Sequence, residues 1–227
     1  MRAPLLLTLA LGSCLAAGQT AADLDAEPHY HLLLENDQVR VFRLTLQQDE
    51  SAFVRFRRSL LTVTLQDGEI IIWDEGKSPI QHFQVHQGET SFRWFVPQEH
   101  EQALAGGYKN DRQNDYRNIT IEFLNPYIGW AFPYGGTINP GSMYIGGAIV
   151  ADVLLQPGDS IPAPDQAGPE LLISVSDLNL KSPSGVRIRK SAADATWIPA
   201  DLVSQWTNHA KTPARFVIVE FRPDVFN

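Results

Sequence analysis

The chain has 227 residues, of which 44% are hydrophobic and 19% are charged. These values are typical of a globular protein with a packed core, and they exclude an intrinsically disordered chain. The formal net charge is −8, and no basic cluster is longer than the stretch 55–58. A nucleic-acid partner needs a basic surface, so the sequence predicts no such partner.

The first residues are typical of a targeting segment. Arg2 supplies a positive charge, and residues 3–17 are almost entirely apolar. That length suits the hydrophobic region of a signal peptide and is too short to cross a bilayer. The small residues Ala16 and Gly18 predict cleavage after Gly18. Residues 1–18 are therefore predicted to be a signal peptide, and the protein is expected to be periplasmic or secreted.

Cys14 is the only cysteine of the chain, so the mature protein can form no internal disulfide. The residues Leu11-Gly12-Ser13-Cys14 also resemble a bacterial lipobox, in which the cysteine is acylated and becomes the new N-terminus. A lipid anchor at Cys14 is therefore an alternative to ordinary cleavage, and it would be the one link to a membrane that the sequence predicts.

Beyond the leader, short runs rich in Val, Ile, Thr, Phe and Tyr alternate with Gly, Pro, Asp and Asn. Several runs alternate apolar and polar residues, which is the period of a half-buried strand. Strands at this density predict an all-β sandwich or barrel. The predicted strands are 39–46, 60–65, 69–73, 83–85, 92–96, 118–124, 149–155, 171–175, 186–189 and 216–221.

Helical periodicity is nearly absent. Residues 99–105 are long enough for a single helical turn, and Ala105-Gly106-Gly107 is interpreted as a flexible turn. No Lys-Ser or Lys-Thr follows these glycines, so they do not form a phosphate-binding loop.

The sequence contains an internal repeat. The segments 46–51, 95–97 and 116–123 match 155–160, 197–199 and 214–221 in the same order. Asn110 stands seven residues before Arg117, just as Asn208 stands seven before Arg215. We therefore predict two copies, 29–125 and 145–227, joined by a Gly-, Pro- and aromatic-rich linker at 126–144.

The second copy resembles the cupin superfamily, specifically small exported bacterial bicupins. In a cupin's first motif, five residues separate a glycine from His-x-His, and a glutamate follows after three or four more residues. Here Gly158 and Glu170 keep that spacing, but Pro164 and Gln166 occupy the histidine positions. The resemblance implies an all-β fold of two cupin-like (jelly-roll) barrels in tandem.

In the second cupin motif, two residues separate Pro-x-Gly from a histidine, and three more separate that histidine from an asparagine. The chain keeps Pro199 and Asn208 but has Ser204 at the histidine position. The first copy has diverged further, with Val54, Phe56 and Ser59 where the two histidines and the acid would stand. Both metal-binding motifs are therefore degenerate.

Imidazole nitrogens supply most of the affinity for a divalent transition metal in such a pocket, and a single carboxylate binds one poorly. The sequence therefore predicts no metal, no other cofactor and no catalytic residue. A displaced metal site would have to use His29 with His31 or His82 with His86, which share strand faces. Neither pair has a carboxylate placed beside it by spacing, so surface histidines are the preferred interpretation.

The second copy is the predicted binding site. The resemblance implies that Glu170 points into the barrel, where its carboxylate needs hydrogen bonds or a shifted pKa. Gln166 and Ser204 would lie beside it, and Trp197 and Trp206 are candidate stacking surfaces. In the first copy we expect Val54 and Phe56 to fill the interior and leave no polar site.

The leading hypothesis is a metal-free, non-catalytic module of the bacterial cell envelope that binds a small molecule or serves an interaction. The alternative is a cupin enzyme of the isomerase, epimerase or dioxygenase type whose active site is displaced or independent of metal. Whether the chain is an enzyme stays open at this point, with the non-catalytic reading preferred.

Overall fold

The fold is all-β, as the sequence predicts. The structure is a computed structural model that describes residues 20–95, 103–124, 143–145, 148–162 and 168–221. Within these ranges the regular structure consists of β-strands and one short 3-10 helix. None of the helical structure described there is long and apolar enough to cross a membrane.

The six strands predicted in the first half are present, together with four additional ones. They are β1 (Ala22–Asp23), β2 (Tyr30–Glu35), β3 (Val39–Leu46), β4 (Ser51–Phe56), β5 (Leu60–Thr64), β6 (Gly68–Asp74), β7 (Ile80–Val85), β8 (Thr90–Arg93), β9 (Leu104–Lys109) and β10 (Tyr116–Phe123). The additional strands are β1, β2, β4 and β9.

The second half contains more short strands than the sequence predicted. They are β11 (Met143–Ile145), β12 (Ala148–Leu155), β13 (Ser160–Ile161), β14 (Glu170–Ser174), β15 (Leu178–Lys181), β16 (Arg187–Lys190), β17 (Ala195–Ile198), β18 (Trp206–Asn208) and β19 (Ala214–Phe221). The 3-10 helix, Ala200–Leu202, lies between β17 and β18.

Each half is built from two sheets, and none of the four closes on itself within the described residues. The orders are β1-β4-β9-β6-β7 with β2-β3-β10-β5-β8, and β13-β18-β15-β16 with β11-β12-β19-β14-β17. Apart from the additional strand β1, the second half repeats the strand order of the first. The stretch before the first predicted strand is thus not a free polar arm, because β1 pairs in parallel with β4 and Leu24 is buried.

The repeat extends to individual hydrogen bonds of two buried asparagines. Asn110 Nδ2 donates to the carbonyls of Leu46 and Asn114 at 3.0 and 2.8 Å. Asn208 Nδ2 donates to the carbonyls of Leu155 and Thr212 at 3.0 and 2.9 Å. In each case Oδ1 accepts the backbone N–H two residues later. Each asparagine therefore holds the same strand-end loop in its half.

Three hydrophobic clusters account for the core. One lies between the two sheets of the first half, one lies between those of the second, and the third joins the halves. Odd and even residues of a strand point to opposite faces, so Val41 packs in the shared cluster while Phe42 packs inside the first half. In the shared cluster the rings of Phe123 and Phe221 are 6.2 Å apart.

One local prediction was wrong. Ala105-Gly106-Gly107 is not a flexible turn but the buried middle of strand β9, paired with β4 and β6. Glycine was taken for a turn signal, whereas here it makes room for side chains described below. Of the predicted helical turn at 99–105, only residues 103–105 are described, and Leu104 and Ala105 are in β9.

The predicted signal peptide at 1–18, Cys14 and most of the predicted linker at 126–144 lie outside the described residues. The boundaries 29–125 and 145–227 stay predictions.

Candidate functional site

Glu170 opens strand β14 and is 4% exposed. It lies on the same face of the strand as Leu172, which packs in the cluster inside the second half. Its direct partner across the sheet is Glu220 of β19, which is 7% exposed. Two buried carboxyl groups therefore face the interior of the second half side by side.

Burial raises the pKa of Glu170 from its ordinary value of 4.5 to about 7, and the charge of Glu220 adds to the rise. Trp206, which is 1% exposed, lies close enough to oppose this shift. Its indole Nε1–H nevertheless makes no hydrogen bond of normal geometry. Near neutral pH the Glu170 carboxyl therefore exchanges readily between its neutral and charged forms.

In the first half, the corresponding acid has an arginine as its partner. Glu122 pairs across the sheet with Arg40 and Leu60, in the register in which Glu220 pairs with Ile149 and Glu170. Arg40 Nε and Nη2 lie 2.7 and 2.6 Å from Glu122 Oε2. In the second half, Ile149 therefore stands where the first half has Arg40, and the carboxylate of Glu170 stands where the first half has Leu60.

The same register corrects the sequence alignment by one residue. Leu60, not Ser59, is the counterpart of Glu170. Ser59 is buried and its hydroxyl accepts a hydrogen bond from the Phe95 N–H at 3.2 Å. The residue therefore has a structural role at a strand end.

Several buried polar atoms of the second half lack a hydrogen-bond partner among the described residues. Glu170 Oε2, Trp206 Nε1, Thr196 Oγ1 and Ser174 Oγ belong to this group. Thr196 pairs with Leu172, one position along the same face from Glu170. Buried polar groups are normally satisfied by protein or water, so this interior offers both a donor and an acceptor to a polar guest.

The other predicted site residues are not all brought to Glu170. Ser204 is half-buried in the loop between the 3-10 helix and β18, and no hydrogen bond joins it to Glu170 in the described part of the chain. Gln166 lies outside the described residues. Trp206 faces the interior as proposed, but Trp197 packs on Phe221, 5.2 Å between ring centroids, against the shared cluster.

Within the described residues, Glu170 does not belong to a set of metal ligands. Asn208 uses its amide on backbone groups, and the buried Trp206 N–H near Glu170 is a donor that would repel a cation. Across the described residues, no group of three or more His, Cys, Asp and Glu is arranged to hold one. We therefore derive no step through a metal.

The histidine pairs of the displaced-site alternative lie on the surface. His29 contacts Glu27 at 2.7 Å, while His31 is exposed. The imidazole of His82 contacts Arg112 at 2.8 Å, and His86 is exposed beside Asp67. His29, His82 and His86 thus lie beside charged neighbours, and His31 faces solvent.

The expectation that the first half has no polar site was wrong. Val54 and Phe56 are buried in its core as predicted. A cavity of about 270 Å³ nevertheless lies between its two sheets, lined by β6, the edge strands β7 and β8, and Tyr108 and Tyr116. It opens here because neither sheet closes around the gap between β7 and β8.

Arg93, at the end of β8, is the least exposed of the charged residues that line this cavity. Its Nη1 donates to Asp74 Oδ1 at 2.7 Å, and its guanidinium lies over the ring of Tyr108 at 5.6 Å. Burial opposes the charge, but Tyr108 and Asp74 outweigh it and the pKa of Arg93 is raised. The guanidinium is therefore permanently cationic.

Gly106 and Gly107 create the space for these side chains. A Cβ on Gly106 would overlap Arg93 Nη1, and one on Gly107 would lie 2.5 Å from both the Ala52 carbonyl and Trp73 Cζ2. Glycine is thus required in β9 so that Arg93 and Trp73 can cross the strand. Sequence reasoning missed Arg93, although its position in an apolar run between Phe92 and Trp94 was visible.

Replacing Gly107 with alanine is expected to destabilise the protein by about 2 kcal/mol, because a backbone carbonyl and a packed indole cannot both move away. Gly68→Ala is the matched control, since a Cβ there meets nothing within 4 Å, and it should change stability by less than about 0.5 kcal/mol. Urea unfolding measures both. Equal stability of the two variants would contradict the packing argument.

Comparison with models of known families finds no match, and comparison with curated proteins finds none either. Solved structures do match. AerE from Microcystis aeruginosa is 10% identical with a TM-score of 0.57, covering 86% of this chain and 98% of its own. A Cupin 2 conserved barrel domain protein from Leptotrichia buccalis is 11% identical with a TM-score of 0.52, covering 85% of this chain and 88% of its own. Vicilin from Capsicum annuum is 11% identical with a TM-score of 0.56, covering 88% of this chain and 83% of its own.

Proposed function

We propose that this cupin-fold chain is a metal-free, non-catalytic module of the bacterial cell envelope that binds a small polar molecule in its second half. The proposal includes two cupin-like barrels in tandem, and the identical strand order of the two halves supports that arrangement. Export rests on the apolar leader 3–17, with a lipid anchor at Cys14 as its alternative form.

One observation carries the binding site. Glu170 Oε2 and Trp206 Nε1 are buried, close together and without hydrogen-bond partners of normal geometry in the described residues. A hydroxyl group can donate to the first and accept from the second, so a molecule with several hydroxyls suits the position. Ser204 and Gln166 belong to the same proposal, on the motif spacing of the sequence alone.

The proposal is tested on mature protein purified without added metals or chelators. Elemental analysis should find well under one equivalent of iron, manganese, nickel, copper or zinc. A thermal-shift screen of sugars, hydroxy acids and amino acids should find a stabilising ligand, because binding to the folded state raises its stability. Glu170→Gln should weaken that ligand about tenfold or more, since a hydrogen bond to a charged group is lost.

Glu122→Gln is the matched control, because this acid occupies the equivalent strand position of the first half and is held by Arg40. It should leave the affinity of the ligand unchanged. A ligand whose affinity is unchanged by Glu170→Gln would contradict the proposed site. A full equivalent of metal that is lost on mutating His82 and His86 would favour the displaced-ligand enzyme.

One observation favours a second candidate, a metal-independent isomerase or epimerase. A carboxyl group with a pKa of about 7 beside a second carboxyl is suited to general acid–base catalysis near neutral pH. Conversion of the bound molecule by the wild type, but not by Glu170→Gln, would assign the protein to this class.

A further inference from the structure

The cavity of the first half is a site of its own, separate from Glu170. It is lined by residues of β5 to β10, all from the first copy. Its volume of about 270 Å³ is slightly below the range of roughly 300–1,000 Å³ for pockets that hold drug-sized molecules. A guest must therefore be small.

The walls of the cavity are largely apolar. Aromatic and aliphatic side chains both contribute to this surface. The mouth lies at edge strand β7, where Ile80 and Phe83 are 53% and 38% exposed. Large apolar side chains left exposed beside an open cavity are suited to admit an apolar body. The side chains that face the cavity are Phe83, Tyr108, Tyr116, Ile70, Ile72, Ile80 and Val85, whereas Trp73 packs on Phe53 and Phe92 packs on Phe123.

Charge is distributed unevenly along the cavity. Arg93 has a side chain that is 21% exposed, whereas its partner Asp74 is 45% exposed and also contacts Lys77 at the surface. Glu89 is exposed and accepts a hydrogen bond from the His86 N–H. The least exposed charge of the cavity is therefore the Arg93 guanidinium, which Asp74 pairs from the side nearer solvent.

The polar groups beside Arg93 hold it in position. Tyr108 stacks on Tyr116 with ring centroids 5.8 Å apart, and its hydroxyl lies 3.5 Å from Thr62 Oγ1. The Tyr116 hydroxyl accepts a hydrogen bond from Asn118 at 3.2 Å. The guanidinium plane is thus fixed against an aromatic ring on one side and over Gly106 on another. Such a fixed, planar cation is the usual partner of a carboxylate in proteins.

We propose that this cavity binds a small monocarboxylate with a compact aromatic or alicyclic body, the carboxylate on Arg93 and the body against the aromatic walls. Asp74 competes with the ligand for the same guanidinium. The inference does not depend on the proposed function of the second half.

The test uses probes that share one shape and differ in charge. Benzoate and cyclohexanecarboxylate carry the anion, benzamide and benzyl alcohol are neutral, and benzylamine is cationic. Calorimetric titration at neutral pH and fixed salt measures binding to the mature protein. The two carboxylates should bind at least about tenfold more tightly than the other probes.

Variants of the ion pair should act in opposite directions. Arg93→Gln should remove the preference for benzoate over benzamide, and Asp74→Asn should tighten benzoate several-fold because the competing carboxylate is gone. Glu170→Gln should change benzoate binding less than twofold, which separates this site from the one in the second half. If Arg93→Gln does not fold by circular dichroism, the direction of the Asp74→Asn effect decides.

Three results would overturn the inference. They are equal binding of benzoate and benzyl alcohol, benzoate binding that survives Arg93→Gln unchanged, and no binding of either carboxylate at millimolar concentration.

Discussion

Replacing Asn208 with alanine is expected to lower the free energy of unfolding by about 3 kcal/mol. The side chain is 1% exposed and makes three hydrogen bonds to backbone groups of the loop that joins β18 to β19 and of the end of β12. The carbonyls of Leu155 and Thr212 and the N–H of Ala210 would lose these partners. Unsatisfied buried groups cost more than the hydrogen bonds themselves contribute.

Asn110→Ala should cost a similar amount, because its bonds repeat those of Asn208 one for one. Asn179→Ala is the control, since its side chain donates a single hydrogen bond, to the His209 carbonyl at 3.2 Å, and it should cost less than about 1 kcal/mol. Urea titrations followed by circular dichroism measure all three. If Asn179→Ala costs as much as Asn208→Ala, the hydrogen bonds do not explain the effect.

The strands and the repeat could be predicted because both depend on local sequence. Period-two runs such as residues 39–46 become strands whichever sheet they join. The two asparagines could be matched because their loops repeat at the same spacing. In contrast, Gly106 and Gly107 were misread because glycine serves both turns and close packing, and only the positions of Trp73 and Arg93 decide between them.

The acid pair depended on a different kind of information. Glu170 could be identified from motif spacing, but its partner Glu220 is fifty positions away and is brought to it by the register of β14 on β19. Glu220 was matched to Glu122 in the repeat, yet the exchange of Arg40 for Ile149 is visible only when the strands are paired. Cross-strand neighbours set the charge of a site in a sheet, and single-sequence patterns do not contain them.

The pH dependence of stability should follow from this exchange. Because the pKa of Glu170 is raised from 4.5 to about 7 in the folded protein, the native state holds a proton that the unfolded chain has released between these pH values. Stability should therefore be greatest below about pH 4.5 as far as this group is concerned, and should fall as pH rises toward 7. The loss is about 3 kcal/mol at pH 8.

Glu170→Gln should remove that loss, because the amide keeps the shape of the protonated carboxyl and cannot ionise. The variant is expected to be more stable than the wild type at pH 8 by up to about 3 kcal/mol and to differ little at pH 4.5. Urea unfolding at both pH values measures the change.

Glu122→Gln, at the equivalent position of the first half, should have the opposite effect on stability. Its carboxylate is neutralised by Arg40 at 2.6 Å. Removing the charge leaves the half-buried guanidinium with the exposed Asp25, 3.3 Å away, and should destabilise the protein by about 2 kcal/mol at pH 8. The same substitution would then stabilise one half and destabilise the other. If both variants lose stability at pH 8, Glu170 is held by a counter-charge of its own, and the second half is not the strained acidic interior that its strand register implies.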